Sequence, residues 1–306
     1  MALDAPHAVR QSMSFRELLQ LLATLFKLRV VSLLLFAAVA GLFLGARGLP
    51  SVLAFGAVLL TGLLAAGGAS AINQYLERER DAQMSRTRKR PLPMARFNRP
   101  DTVLWMALAM ILLGVVPTLF FNPVMAFWLA AGAVIYVIVY TIWLKPRSIL
   151  NIVIGGAAGS CAVMTGGAAV GAASDPAVIT LALLVFLWTP AHFWALALFY
   201  KEDYSRVDVP MLPVTTTDQH TARWILVHVL STILAALALA FAPGMGWLYA
   251  LPVAAVALWM LSGSLRLLRH PERPVAIRLF VATNVFLASV FLAAILAQVA
   301  HRLLPL

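Results

Sequence analysis

The chain contains nine long apolar stretches, each close to the length that an α-helix needs to cross a lipid bilayer. Of its 306 residues, 62% are hydrophobic and only 11% are charged, which is too few charges to cover a water-soluble fold. The sequence predicts one all-α integral membrane domain over residues 1–306, in which residues 1–26 form an N-terminal arm with an amphipathic helix. The predicted spans are roughly 30–46, 51–76, 102–121, 124–144, 149–172, 177–200, 224–243, 246–265 and 276–299.

Lysine and arginine are distributed very unevenly between the two sides of such a bundle. Of the 23 lysines and arginines, 21 fall on one side, and only Arg47 and Arg302 fall on the other. Cytoplasmic loops attract this excess, so we expect the N-terminus and the active side in the cytoplasm and the C-terminus outside. Because topology accounts for the net charge of +11, no nucleic acid is expected as a partner.

Acidic residues gather on the same side, which the positive-inside effect does not require. Eleven of the 12 lie there, and Asp175 is the exception. We therefore expect the chemistry of the protein at its cytoplasmic face.

The first acidic motif continues the second apolar span. Asn73, Glu77 and Asp81 are spaced four residues apart, which places them along one face of a helix. Three oxygen donors without thiolate or imidazole favour a hard cation such as magnesium over zinc. The arginines of segment 86–90 follow, and their planar guanidinium groups suit phosphate oxygens. The alternative is that the acids only pair with nearby arginines on a solvated helix end.

A second acidic motif follows the sixth span, where Asp203 stands beside Lys201. Two helix ends that carry carboxylates could hold magnesium ions between them, with a diphosphate bridging those ions. Within the same span, His192 follows Pro190, and an ionisable residue inside a membrane helix is a functional candidate. The alternative is a neutral histidine bonded to a backbone carbonyl that Pro190 leaves free.

Taken together, these motifs resemble those of the UbiA-type membrane prenyltransferases, and segment 188–195 is similar to that of the branch that farnesylates heme. The matching stretches are 27–35, 73–92, 140–145, 151–156, 188–195 and 200–213. The chain departs from the usual family pattern at Ala162, Val163 and Gly167, which bears on the acceptor pocket.

The resemblance implies a UbiA-type bundle of nine transmembrane helices around a central cavity, with both acidic motifs at its cytoplasmic mouth. By this likeness Asn73, Glu77, Asp81 and Asp203 are ligands of magnesium and diphosphate, and Lys201 completes the catalytic group. The candidate substrate contacts are Arg78, Arg86, Arg90, Lys145, Tyr200 and His192.

The implied reaction transfers a farnesyl group from farnesyl diphosphate to a vinyl group of heme B and adds water. Its products are heme O, for respiratory terminal oxidases, and diphosphate. The implied partners are these substrates and the lipid bilayer, with heme A synthase or oxidase assembly factors as further candidates. The composition of residues 1–17 does not resemble a transit peptide, which favours a bacterial inner membrane.

Two other functions stay open from the residues alone. A relative from the same superfamily would prenylate a quinone or chlorin precursor instead of heme. A transporter, from a different class, would usually show repeated halves and charges near the membrane midplane. Here the acids cluster at one interface, which favours an enzyme.

Overall fold

A computed structural model describes residues 14–97 and 99–303 of the chain. Within these residues, nine helices are long and apolar enough to cross a membrane, which confirms the predicted fold class. They are α2 (Leu28–Ala46), α3 (Val52–Gln83), α4 (Pro100–Phe121), α5 (Pro123–Leu144), α6 (Asn151–Ala168), α7 (Pro176–Phe199), α10 (Asp218–Leu239), α11 (Gly246–Arg269) and α12 (Arg273–Leu303). Three shorter helices are α1 (Phe15–Leu25), α8 (Lys201–Arg206) and α9 (Leu212–Thr215).

The predicted N-terminal arm is described only in part, since residues 1–13 and the counted charge of Arg10 lie outside the described residues. Helix α1 forms where the sequence predicts an amphipathic helix. Its first turn is capped by Ser14, whose hydroxyl accepts from the Glu17 amide while the Glu17 carboxylate accepts from the Ser14 amide.

Helix α3 is longer than the predicted span and ends at Gln83 instead of near residue 76. Its 32 residues extend over about 48 Å, well beyond the hydrocarbon core of a bilayer. The last turns therefore project past the apolar region and carry the whole first acidic motif on one continuous helix. Helix α10 also differs, because Thr217 caps it and starts it before the predicted residue 224.

The second half of α5, Ile135–Leu144, is a π-helix, which the sequence analysis did not predict. In this segment the Thr141 hydroxyl donates to the Tyr136 carbonyl at 2.8 Å, and the Lys145 amide donates to the Tyr140 carbonyl at 2.8 Å. π-Helical segments are rare and are frequently found at functional sites. Here the π-helix directs Thr141 towards Asn73 of α3 and Tyr136 towards Lys27, and Lys145, which follows it, faces Glu77 of α3.

The membrane helices form a ring in which neighbours in sequence are neighbours in space, and α12 closes the ring against α2. Helix α7 is the most buried of the nine. Glycines allow α2 and α6 to approach closely, since a Cβ on Gly166 would lie 1.8 Å from the Ala38 carbonyl oxygen. Because successive helices alternate in direction, the C-terminal ends of α3, α5 and α7 lie on the same side, where the candidate site is found.

Candidate active site

The centre of the site is the pair formed by Asn73 and Glu77 on α3, both of which are buried. The Asn73 side-chain amide donates to Glu77 Oε2 at 3.0 Å and to the Thr141 hydroxyl at 3.0 Å. The ammonium group of Lys145, at the end of α5, forms an ion pair with Glu77 Oε1. These contacts join the first acidic motif to the π-helical segment of α5.

Lys27 approaches the same centre from the junction between α1 and α2. Its Nζ donates to Asn73 Oδ1 at 2.5 Å and to the Tyr136 hydroxyl at 3.1 Å. Its backbone φ is 49°, a left-handed conformation that is costly for a residue with a side chain. Such strained residues concentrate at functional sites, and here the strained turn places a cation beside the acidic motif.

One turn further along α3, the Asp81 carboxylate is buried and faces the segment that follows the helix. Arg90 binds Asp81 Oδ2 at 2.6 Å. The Thr87 hydroxyl donates to the Asp81 carbonyl at 3.0 Å. The segment of residues 84–90 is thus folded back over the C-terminal end of α3.

The same segment also binds the second acidic motif. Asp203 Oδ2 accepts hydrogen bonds from the Ser85 hydroxyl at 2.7 Å and from the Arg86 amide at 3.1 Å, and Arg206 lies 3.4 Å from Oδ1. Burial raises the pKa of Asp203, but the hydrogen bonds from Ser85 and Arg86 and the charge of Arg206 outweigh burial and hold this pKa below its usual range. Asp203 is therefore a carboxylate at neutral pH.

Among the predicted substrate contacts, Arg86 and Tyr200 lie together at the mouth of the site. The Arg86 guanidinium lies 5.8 Å from the centre of the Tyr200 ring. Lys145 lies 5.7 Å from the centre of the Tyr140 ring, and Tyr140 stacks on Tyr136. Basic and aromatic groups thus surround the acidic motifs.

Two predicted site residues direct their side chains elsewhere. Lys201 pairs with Asp218 at 2.6 Å instead of joining Asp203. Arg78 donates to the Tyr75 carbonyl at 2.7 Å and lies 3.5 Å from Glu79. The side chain of Arg78 leaves the face of α3 that carries Asn73, Glu77 and Asp81, because residue 78 is only one position from Glu77 on the helix.

His192 lies deeper, on α7, and it is buried between two aromatic rings. The Trp188 and Phe280 ring centres are 4.2 Å and 4.4 Å from the centre of the imidazole. Its Nδ1 lies 2.9 Å from the Thr283 hydroxyl, so its partner is not a carbonyl left free by Pro190. The structure thus places His192 apart from the acidic motifs and against α12.

Thr283 determines which nitrogen of His192 carries the proton. The Thr283 hydroxyl also donates to the Phe280 carbonyl at 2.7 Å, and with its single proton used there it accepts a hydrogen bond from His192 Nδ1–H. The other ring nitrogen, Nε2, then keeps its lone pair. The Trp188 indole donates to the Thr283 carbonyl at 2.8 Å and stabilises the same arrangement.

The acidic site offers only oxygen donors, which is the ligand set that a hard divalent cation such as magnesium prefers. Over residues 14–97 and 99–303, no three histidine, cysteine, aspartate or glutamate side chains converge as a preformed metal cluster. Each acid instead faces a basic group, as the alternative reading of the motif expects. These bases come largely from other elements and the pairs are buried, so they are not the pairs of a solvated helix end.

A cavity of about 360 Å³ reaches the centre of the site between α3 and α5. Glu77 and Thr141 line its inner part, and Leu76 and Ile142 line its apolar side. The cavity also touches the charged side chains of Glu79, Arg80 and Arg147, so it connects Glu77 with the charged end of α3 and α5.

Sequence reasoning did not assign Lys27, Tyr136, Thr141, Ser85 or Arg206 to the site. Lys27 is one of the 21 charges on one side and the first residue of the matching stretch 27–35, but neither observation gives it a role in the site. Tyr136, Tyr140 and Lys145 are spaced four or five residues apart, like the acids of α3, and this spacing was an unused signal. Ser85 carried no such signal, because its role depends on the fold.

Known proteins resemble this chain in sequence and in fold. The profile of the UbiA prenyltransferase family matches residues 34–300. A protein from Metallosphaera sedula named protoheme IX farnesyltransferase is 39% identical over 276 residues, which cover 90% of this chain and 95% of that protein. A protein of the same name from Frankia casuarinae is 40% identical over 277 residues, which cover 88% and 94% of the two chains.

Two solved structures show the same fold. A structure of digeranylgeranylglyceryl phosphate synthase superposes with a TM-score of 0.76 at 17% identity and covers 92% of this chain and 98% of that one. A UbiA homologue from Archaeoglobus fulgidus, bound to GPP and Mg²⁺, superposes with a TM-score of 0.59 at 14% identity and covers 90% and 99%. The sequence and fold comparisons agree, and the chain belongs to the UbiA prenyltransferase family.

Proposed function

We propose that this protein transfers a farnesyl group from farnesyl diphosphate to a vinyl group of heme B. The observation that carries the proposal is the meeting of Asp81 and Asp203 through one segment, residues 84–90, at one end of a membrane bundle. The choice of acceptor rests on the named activity of the relatives that are about 40% identical. The product is heme O, which terminal oxidases use.

The groups that would hold Mg²⁺ are the side-chain oxygens of Asn73, Glu77, Asp81 and Asp203, a donor set that suits this ion. When bound there with a diphosphate, magnesium would stabilise the negative charge that develops on the leaving group. The Mg²⁺ named with the Archaeoglobus fulgidus homologue supports this proposal.

The basic groups of the site exchange partners when substrate binds. Lys145 and Arg90 are held against Glu77 and Asp81 in the substrate-free protein. Once the acids face the cation, these bases turn to the diphosphate oxygens, where Arg86 adds a further guanidinium. The pairing in the free protein therefore keeps both sets of charges buried and neutralised until the substrate arrives.

The reaction requires no protein nucleophile. The C–O bond to the diphosphate breaks, and the diphosphate leaves with the electron pair. The vinyl group of heme B donates its π electrons to the farnesyl cation and forms the new C–C bond. Water then adds to the resulting cation on the heme and loses a proton. Apolar helix walls hold the farnesyl chain and keep water from the first cation.

His192 is the proposed contact to the heme. Its Nε2 keeps a lone pair because Nδ1 donates to Thr283, which is how histidine ligands of metals are usually oriented. The rings of Trp188 and Phe280 fix the plane of the imidazole. His192 therefore orients the acceptor, heme B, through its iron, whereas the acidic motifs hold the diphosphate of the donor.

The proposed location is a bacterial inner membrane with the site facing the cytoplasm, as the excess of lysine and arginine on that side supports. Heme A synthase or oxidase assembly factors are the proposed recipients of the product. Lys201 and Arg78 act at the edge of the site, because their present partners hold them outside its centre.

The test is a reaction with purified protein, heme B, farnesyl diphosphate and Mg²⁺, followed by mass spectrometry of the extracted heme. We expect heme in which one vinyl group has become a hydroxyethylfarnesyl group, a net gain of one farnesyl and one hydroxyl group, and no such product without Mg²⁺. Unmodified heme together with prenylation of a quinone or chlorin precursor would show that the acceptor is such a precursor and not heme B. Unmodified heme and no prenylated product, with uptake of a solute into vesicles, would favour a transporter.

A further inference from the structure

A second cavity lies in a groove between α11 and α12, and no residue of the acidic motifs lines it. Its volume is about 340 Å³, and its lining includes Trp259, Arg266, Arg278 and Ala282. The groove is on the outside of the ring, where these two helices meet lipid, and the site described above does not use it.

The two arginines of the groove lie at the same depth in the membrane. Arg266 is three residues before the end of α11, which corresponds to about 4.5 Å of helix. Arg278 is five residues after the start of α12, which corresponds to about 7.5 Å. Because α11 and α12 are joined by a short turn, both guanidinium groups lie near the level of the cytoplasmic lipid headgroups.

Neither arginine is neutralised by the protein. Arg90, Arg206 and Arg273 each form an ion pair with an acid on this side of the bundle. In the part of the chain that the structure describes, neither Arg266 nor Arg278 forms an ion pair, and both are exposed. Two like charges that share one cavity repel each other, so an anion between them would be stabilising.

Below the arginines the groove becomes apolar. Trp259 is seven residues before Arg266 on α11, or about 10 Å deeper in the membrane, and it is 47% exposed. Gly263 lies between the two and lacks a side chain that would fill the groove beside Leu279. The lining of the groove thus changes from cationic to apolar over about two turns of α11.

We propose that this groove binds one anionic phospholipid of the cytoplasmic leaflet. Its phosphate lies between Arg266 and Arg278, and an acyl chain follows the apolar surface beside Trp259 and Ala282. Basic pockets between membrane helices on the cytoplasmic side bind anionic headgroups in this way. A zwitterionic lipid fits less well, because the groove offers two cations and no acid for the second, positive group.

The experiment uses native mass spectrometry of the purified full chain, delipidated in detergent and titrated with phosphatidylglycerol or phosphatidylcholine. We expect one retained phosphatidylglycerol and a roughly 30-fold weaker affinity for it in the double variant Arg266→Gln/Arg278→Gln, since each arginine contributes about a factor of five. The matched control is Arg99→Gln/Arg223→Gln, which removes two exposed arginines of the same side outside the groove.

Three outcomes would overturn the proposal. One is equal retention of phosphatidylcholine and phosphatidylglycerol by the wild-type protein. Another is an equal loss of affinity in the control variant, which would show that lipid binding depends on the total charge of this side of the protein and not on the groove. The third is displacement of the lipid by millimolar inorganic phosphate, which would make the site one for a free anion. Gel filtration and thermal melting confirm that each variant is folded. A Trp259→Leu variant leaves both charges in place, so it should weaken lipid binding less than the double variant Arg266→Gln/Arg278→Gln does.

Discussion

The Ser85 hydroxyl donates a hydrogen bond to Asp203 Oδ2 at 2.7 Å, although 118 residues separate the two in the chain. Ser85 belongs to the segment that follows α3, and Asp203 belongs to the short helix after α7. The next residues of the same segment carry Arg90, which binds Asp81 at 2.6 Å. One short segment therefore holds the two acidic motifs together, and a ligand that spans both must contact or move it.

The first prediction concerns the Asp81 carboxylate. Asp81→Asn keeps the shape of the side chain but removes the charge that the cation and Arg90 require. We expect turnover of farnesyl diphosphate to fall at least 100-fold, with little loss of folded protein. Initial rates with Mg²⁺, beside gel filtration, measure both quantities.

The matched control for this variant is Asp208→Asn. Asp208 is an exposed carboxylate two residues after the end of α8, and its φ of 51° is a conformation that asparagine tolerates. Its activity should equal that of the wild-type protein. Retained magnesium-dependent turnover in Asp81→Asn would refute the role of Asp81.

The second prediction concerns the buried ion pair of Lys145 and Glu77. Lys145→Met leaves the Glu77 carboxylate buried without its charge partner, which should lower the free energy of unfolding by about 3–5 kcal/mol. The double variant Lys145→Met/Glu77→Gln removes both charges and should recover most of this loss. Thermal melting in detergent measures the effect.

Lys89→Met serves as the control for this pair, because Lys89 is exposed and no ion pair involves it in the described residues. It should melt like the wild-type protein. If the double variant loses as much stability as both single variants added together, the two side chains are not energetically coupled.

The third prediction concerns the tautomer of His192. Thr283→Val removes the oxygen that accepts from Nδ1, and we expect heme B to bind 10-fold to 100-fold more weakly to the purified protein, with a displaced Soret band. Thr283→Ser restores the acceptor and should restore both the affinity and the band.

His192→Ala should abolish the same spectral signature, whereas His228→Ala should leave it unchanged. His228 lies on α10 and its Nδ1 is 3.1 Å from the Leu187 carbonyl, so it is a second histidine of the bundle outside the proposed heme contact. Unaltered heme spectra in His192→Ala would remove His192 from the acceptor site.

The sequence predicts the nine membrane helices because hydropathy and helix length alone define them. It also places Asn73, Glu77 and Asp81 on one helix face, because the spacing of four residues requires only a helix. Both inferences depend on local periodicity and on no long-range contact.

The remaining parts of the site depend on tertiary structure. The π-helix that directs Thr141 to α3 and Tyr136 to Lys27 has no signal in the apolar sequence that forms it. The choice of Asp218 as the partner of Lys201 depends on where α10 begins, and α10 begins earlier than hydropathy indicates. Lys27 joins the site only because a strained turn returns it to α3.

The most direct test of the central claim measures whether both acidic motifs bind one metal–diphosphate complex. Manganese(II) can replace magnesium as a paramagnetic probe, and electron paramagnetic resonance can follow its binding with and without inorganic pyrophosphate. We expect pyrophosphate to strengthen manganese binding at least tenfold in the wild-type protein, and both Asp81→Asn and Asp203→Asn to lose this gain. Pyrophosphate-dependent binding that survives in Asp203→Asn, while Asp81→Asn loses it, would show that the motifs do not form a common site.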